Sequence, residues 1–267
     1  MFAVILYHGI DSGERWDRPM TAIDREYVLG RELFEQHIMY LSRAAVRVSS
    51  LHACRAPSPA NGDSRLRVAL TFDDGDLSCY TTAAPILERA GFRGEFFVVS
   101  RWIGRAGFMT DAHLRELADR GHGIQSHSRT HPMLTSLVSP DIAEELMRSK
   151  DEIESMTGRP VEYFSIPNGA YDDRVIEAAR ISGYAGVLNS VAGYNRGPAD
   201  PFVIQRFSPR AFTGVGEIAA ICERPRYTAA RLALKRSTLG PLKRVLGARY
   251  HRVRDALVSR KRSDAKS

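Results

Sequence analysis

Along this 267-residue chain, short apolar runs alternate with stretches whose apolar positions recur at helical spacing. Seven runs read as strands, near residues 2–7, 67–72, 95–99, 123–126, 162–166, 185–189 and 202–207, each bounded by turn-forming residues. Helices are expected between most of them. One contains Leu33 to Ala45 and precedes a polar connector at 52–65. Another spans 80–90 and ends at Gly91. A third covers 111–120, with Thr110 as N-cap and Gly121 beyond it. A fourth covers 140–157, with Ser139 as N-cap and Pro140 at its first position, and a fifth covers 172–182, closed by Gly183. Strands separated by helices imply parallel pairing, hence an α/β fold built on one parallel sheet or barrel.

Two of these runs end in residues that carry chemistry. Val68–Phe72 leads into Asp73-Asp74-Gly75, and Gly123–Ser126 leads into His127-Ser128-Arg129-Thr130-His131-Pro132. Parallel strands present their carboxyl ends to a common rim, so paired carboxylates and two imidazoles can meet there. Two His and one carboxylate, with a position left for water, form a metallohydrolase ligand set. Alone, each half has a plainer reading. A buried Asp pair can cap a loop or serve a Mg-dependent phosphatase, and a His pair can hydrogen-bond backbone. No phosphate-cradling Gly-rich loop or catalytic Lys stands beside the Asp pair to favour phosphoryl chemistry.

Thr71-Phe72-Asp73-Asp74-Gly75 followed by Ser126-His127-Ser128-Arg129-Thr130-His131-Pro132 resembles the first two signatures of the polysaccharide deacetylase family, the NodB-homology domain of carbohydrate esterase family 4. Phe164-Ser165-Ile166-Pro167-Asn168-Gly169-Ala170-Tyr171 is similar to the third signature in a branch that also opens with Tyr-His, here Tyr7-His8. The resemblance runs from about residue 1 to about residue 215. It implies an irregular (β/α)7 barrel over 1–222 and a hydrolase that removes N-acetyl groups from sugar residues of a glycan or glycan precursor. It assigns Asp74, His127 and His131 to one divalent metal, zinc first, with cobalt, nickel or iron as alternatives. Asp73 becomes the base that activates the attacking water. Pro167, Asn168, Tyr171 and Arg206 are placed on the substrate and oxyanion side. The family's late Leu-x-His acid has no match, so His8 becomes the candidate general acid. Its Asp-x-x-Asp-Trp signature is absent too, and its usual bracing Arg is replaced near Ser165. Arg206, on the last strand, is the candidate brace. Other amides or esters (formyl, cyclic imide) and an inactive glycan-binding relative are the alternative readings. The intact Asp73, Asp74, His127 and His131 speak against the inactive one.

Composition changes this picture in two places. Cys54, Cys79 and Cys222 lack metal or redox spacing and are odd in number, which fits a reducing compartment. With strand residues beginning at Phe2 and no basic apolar leader, the expected location is cytoplasmic. The net charge of +7 comes wholly from the end of the chain, where residues 224–267 hold fourteen Lys or Arg against Asp255 and Asp264. Leu232, Leu234, Leu239, Leu242, Val245, Leu246, Tyr250, Val253 and Leu257 recur among them at roughly helical spacing, with Gly240-Pro241 as a break. Residues 223–267 are therefore expected as a basic amphipathic tail with a disordered end. It would meet an anionic membrane, on the inner face, or a protein partner; no nucleic acid is expected. Trp16, Trp102 and Tyr171 are candidate aromatic contacts for a sugar ring.

Overall fold

The computed structural model describes residues 1–13, 24–57, 63–196 and 200–234. In chain order its elements begin with β1 (Phe2–Tyr7), β2 (Ile10–Asp11), α1 (Asp24–Tyr27), β3 (Leu29–Gly30), α2 (Arg31–Arg43), β4 (Val46–Val48) and α3 (Leu51–Arg55). Then come β5 (Leu66–Phe72), α4 (Ala84–Arg89), β6 (Glu95–Val98), α5 (Asp111–Asp119), β7 (Gly123–Ser126) and α6 (Ser139–Thr157). The series closes with β8 (Tyr163–Ser165), α7 (Asp173–Ile181), β9 (Gly186–Leu188), β10 (Tyr194–Asn195) and α8 (Val215–Glu223).

The main sheet runs β10-β1-β5-β6-β7-β8-β9, with β4 also on β5. Every pair among β1, β5, β6, β7, β8 and β9 is parallel, and only β10 runs antiparallel. β1 and β5 are buried at every position, as strands covered on both faces must be. The seventh run, 202–207, makes a single bridge to β9 and one to β1 instead of a ladder. Ile204 N donates to Val187 O (2.9 Å) and Phe207 N to Val4 O (2.8 Å). The segment crosses from β9 to the carboxyl half of β1 within three residues, so neither pairing lengthens into a ladder. It links β9 back to β1 across the curled sheet, in the α/β barrel-like order expected.

Alternate side chains of these strands face inward. Phe2, Val4, Ala69, Phe97, Tyr163, Leu188 and Ile204 form one buried cluster. Continuing that alternation towards the carboxyl ends reaches His8 after Val4, Asp73 after Ala69, Ser165 after Tyr163 and Arg206 after Ile204. The apolar core is thus the floor on which the polar rim stands.

Helix ends differ from expectation in three places. The polar connector contains α3, capped by Ser50 Oγ on Ala53 N and buried through Leu51 and Cys54. Arg67 fastens it by donating to Ala53 O and Ala56 O. Two apolar residues are too few to stand out as a helical period, which is why a loop was expected. α6 starts at Ser139, with Val138 in the N-cap conformation and no side-chain cap, so Ser139 lies inside the helix. Residues 79–83 form a π-turn that leads into α4. Thr110 caps α5 in a reciprocal box with His113.

The chain divides into two units, Met1–Arg224 and Pro225–Ser267. Residues 225–234 of the second are helical. The rest of the basic tail, with the Gly240-Pro241 break, lies outside the described residues, as does Trp16. Among the described residues no helix is long and apolar enough to cross a membrane.

Candidate metal centre and its carboxylate

Consecutive residues of a strand face opposite sides of a sheet, so Asp73 and Asp74 could not share a rim if β5 simply continued. Asp73 still belongs to the ladder, its N–H donating to Tyr7 O (3.0 Å). Asp74 and Gly75 then take φ values of +76° and +82°. That left-handed turn swings the Asp74 carboxylate onto the same rim as Asp73. A Cβ at Gly75 would also crowd Val98, lying 3.1 Å from its Cγ1.

The second half of the site follows β7. His127 Nδ1 lies 2.8 Å from Ser165 O. A carbonyl can only accept, so Nδ1 carries the proton and, in the neutral ring, Nε2 keeps its lone pair for the rim. His131 adopts φ +64° directly before Pro132, and its N–H donates to Ser128 Oγ (3.0 Å). His127 Nε2 is 3.5 Å and His131 Nε2 3.7 Å from Asp74 Oδ1. One ligand atom from each of Asp74, His127 and His131 lies within 4.8 Å of the other two. Donors held roughly 2.0–2.2 Å from one tetrahedral cation are about 3.4 Å apart, so the spacing and the N/N/O donor set both fit a divalent metal. Burial, and then His127, push the His131 pKa down against the pull of Asp74 and Asp73. A neutral imidazole is the form a metal needs.

Asp73 is held apart from this trio. Arg206 Nη1 and Nη2 each donate at 2.8 Å to its two carboxylate oxygens, and Ser165 Oγ donates to Oδ2 at 2.8 Å. Arg206 Nη2 also reaches Ser165 Oγ, and its Nε reaches Asn189 O. Side-chain exposures of 0% for Arg206 and 3% for Asp73 make this a fully buried pair. Burial alone would raise the Asp73 pKa, but Arg206 and then His127 outweigh it and hold the carboxyl below its usual range. Asp73 is therefore ionised at neutral pH, 3.8 Å from His127 Nε2. Arg206, placed above both as a brace and among the substrate-facing groups, acts as the brace. Its Nε, Nη1 and Nη2 are all engaged inside the protein.

His8 follows β1 with its ring centroid 5.1 Å from that of Tyr27. Burial lowers its pKa, while Asp74 and Asp73 pull the other way. Its Nδ1 is buried and lacks a hydrogen-bond partner among the described residues. The Pro167–Gly169 turn after β8 puts Asn168 at φ +58°. Pro167 has no N–H, and Gly169 N donates to Ile166 O, which leaves the exposed Asn168 to offer a backbone donor. Tyr171 is 36% exposed beyond this turn. Trp102 packs on His131 (centroids 5.1 Å) and Phe108 (5.0 Å), forming a wall beside the metal ligands.

Sequence reasoning missed Ser165, whose hydroxyl joins Asp73 to Arg206. Its inward register on β8 is the one signal that could have found it.

Residues 60–187 match the family model described as polysaccharide deacetylase. YxkH of Bacillus subtilis is 27% identical over 186 residues, 68% of this chain and 61% of that protein. The peptidoglycan-N-acetylmuramic acid deacetylase PdaA of Bacillus subtilis is 30% identical over 127 residues, 47% of each chain. The chain thus spans about half to three-fifths of these two relatives. The Streptococcus pyogenes deacetylase PplD, solved with acetate, superposes with a TM-score of 0.72 at 20% identity, covering 83% of this chain and 98% of that one, which shows a shared fold.

Proposed function

The chain belongs to the polysaccharide deacetylase family, and from that premise we propose that it is a metal-dependent hydrolase removing N-acetyl groups from sugar residues of a glycan or glycan precursor. The observation that carries this reading is the pairing of a three-donor metal centre with a separate, ionised carboxylate on the same rim.

Asp74, His127 and His131 hold the cation, with zinc the first candidate. When bound, it would supply Lewis acidity towards an acyl oxygen and water, and Asp73, though a weak base, would be the group that takes the water's proton. Arg206 and Ser165 keep Asp73 charged and fixed, so that it accepts that proton at a carboxylate oxygen without reorientation. The N–H of Asn168 is the proposed donor to a developing oxyanion, and Tyr171 the proposed aromatic face for the sugar. His8 supplies a proton to the leaving nitrogen. Because its Nδ1 is buried, that proton leaves from Nε2.

The test is acetate release from N-acetylglucosamine oligomers and peptidoglycan fragments by the zinc-loaded full chain, with Asp73→Asn as control. Release by wild type and none by the variant is expected. Metal-loaded wild type that releases no acetate from any of them would overturn the reading. The residue 224–267 tail is assigned to an anionic membrane surface at the cytoplasmic face, where each basic side chain contributes on the order of 1 kcal/mol. Fractionation of cells bearing the chain with and without residues 224–267 tests this. Full-length protein that remains wholly soluble contradicts it.

A further inference from the structure

The loop that carries both histidines is conformationally costly. Ser128 and His131 take φ values of +66° and +64°, which side chains other than glycine adopt only when the surroundings compel them. What compels them lies on α6. Glu145 Oε2 accepts the backbone N–H groups of Arg129 (3.1 Å) and Thr130 (2.9 Å), while Oε1 accepts the Thr130 hydroxyl (2.8 Å). One carboxylate therefore engages the two residues between the left-handed positions.

The same helical face continues the hold. Ser149 Oγ lies 2.8 Å from Ser126 Oγ, which in turn accepts Ser128 N. Glu152 accepts from Arg129 Nε (3.0 Å) and from Ser100 Oγ (2.5 Å), tying in the segment after β6. Positions 145, 149 and 152 fall on one stripe at i, i+4 and i+7. Ser100 N and Arg101 N complete the fastening by donating to Ser128 O and Arg129 O. Of these contacts, only the Glu145 carboxylate takes the backbone N–H groups of the two residues between the left-handed positions.

We propose that Glu145 is a positioning residue for the metal centre, clamping the 127–131 loop so that His127 and His131 converge on Asp74. The proposal rests on the reading that these three residues bind a divalent cation. Glu145 touches neither the cation nor the substrate. Groups that orient metal ligands from behind typically change metal affinity by 10–100-fold when removed.

Glu145→Ala, Glu145→Gln and, as a neighbour with no bond to the loop, Glu144→Ala are compared in the full chain. Zinc affinity is measured by competition with a chromophoric chelator, and amide hydrogen exchange at Arg129 and Thr130 is followed in the metal-free protein. Glu145→Ala is expected to weaken zinc binding by about 10–100-fold and to speed exchange at both amides. Glu145→Gln keeps an oxygen for the two N–H groups and can donate to the Thr130 hydroxyl, so it should retain affinity within about threefold, well short of that loss. Glu144→Ala should match wild type. Wild-type affinity in Glu145→Ala, or Gln as damaging as Ala, overturns the proposal. If Glu145→Ala does not fold, Thr130→Val removes the Thr130 hydroxyl bond alone. It must then show a partial loss of affinity, and wild-type affinity there overturns the proposal instead. Wild type that binds no zinc sinks the metal reading, and exchange at Arg129 and Thr130 still decides whether the clamp exists.

Discussion

Replacing Arg206 by Met removes the guanidinium while nearly keeping its volume, and leaves Asp73 as a lone carboxylate at 3% exposure. Two hydrogen bonds to Asp73, one to Ser165 and one to Asn189 O go with it. Breaking a buried pair from one side costs about 3–5 kcal/mol, because the surviving charge is left unpaired. For a domain of this size that is roughly 6–20 °C in Tm. The loss should depend on pH. In wild type the folded pKa of Asp73 lies below the ordinary aspartate value, so its stabilisation is present above that value and lost as pH falls through the depressed one. In Arg206→Met burial is no longer outweighed, and the folded pKa moves above the ordinary value. Its contribution is then favourable only at low pH and lost as pH rises. The gap between the two proteins must therefore widen from pH 4 to pH 8. Thermal melts of the metal-free proteins across that range measure it. In an Asp73→Asn background the same substitution should cost much less, since no charge remains to be stranded. A pH-independent gap, or costs that simply add in the double variant, would refute the reasoning.

Asp73→Asn should lower kcat by about 10²–10⁴-fold, the usual contribution of a positioned base, with metal content unchanged. His8→Ala should likewise reduce kcat and retain metal, and equal turnover in that variant would remove His8 as the proton donor. Gly75→Ala meets both a φ of +82° and Val98 Cγ1 at 3.1 Å, so a destabilisation of about 1–3 kcal/mol is expected. It should be visible as a lower Tm with weakened metal binding, since Asp74 is its neighbour.

The strand and helix alternation was readable because β1 is a continuous apolar run, β5 and β6 hold the shorter runs Val68–Leu70 and Phe96–Val98, and Thr110 and the Pro140 region mark helix starts. Parallel strands end at a common rim, which is why Asp73, Asp74, His127 and His131, far apart in sequence, could be brought together, with Arg206 on the last strand as the candidate brace. Three features were not readable. α3 has only Leu51 and Cys54 to bury, below what a periodic pattern needs. The positive φ at Asp74, Ser128, His131 and Asn168 falls on residues that carry no glycine signature. The bonds of Glu145 depend on which elements pack together, which no local spacing encodes, and the inward register of Ser165 names no partner for its hydroxyl.

The central claim is that Asp74, His127 and His131 bind one divalent metal. It is tested most directly by counting metal per chain after purification without chelator and reloading with zinc, in wild type and in His131→Ala. One ion per chain in wild type, lost in His131→Ala while the variant stays folded, is the predicted result. No bound metal in folded wild type, or equal occupancy in both proteins, would contradict it.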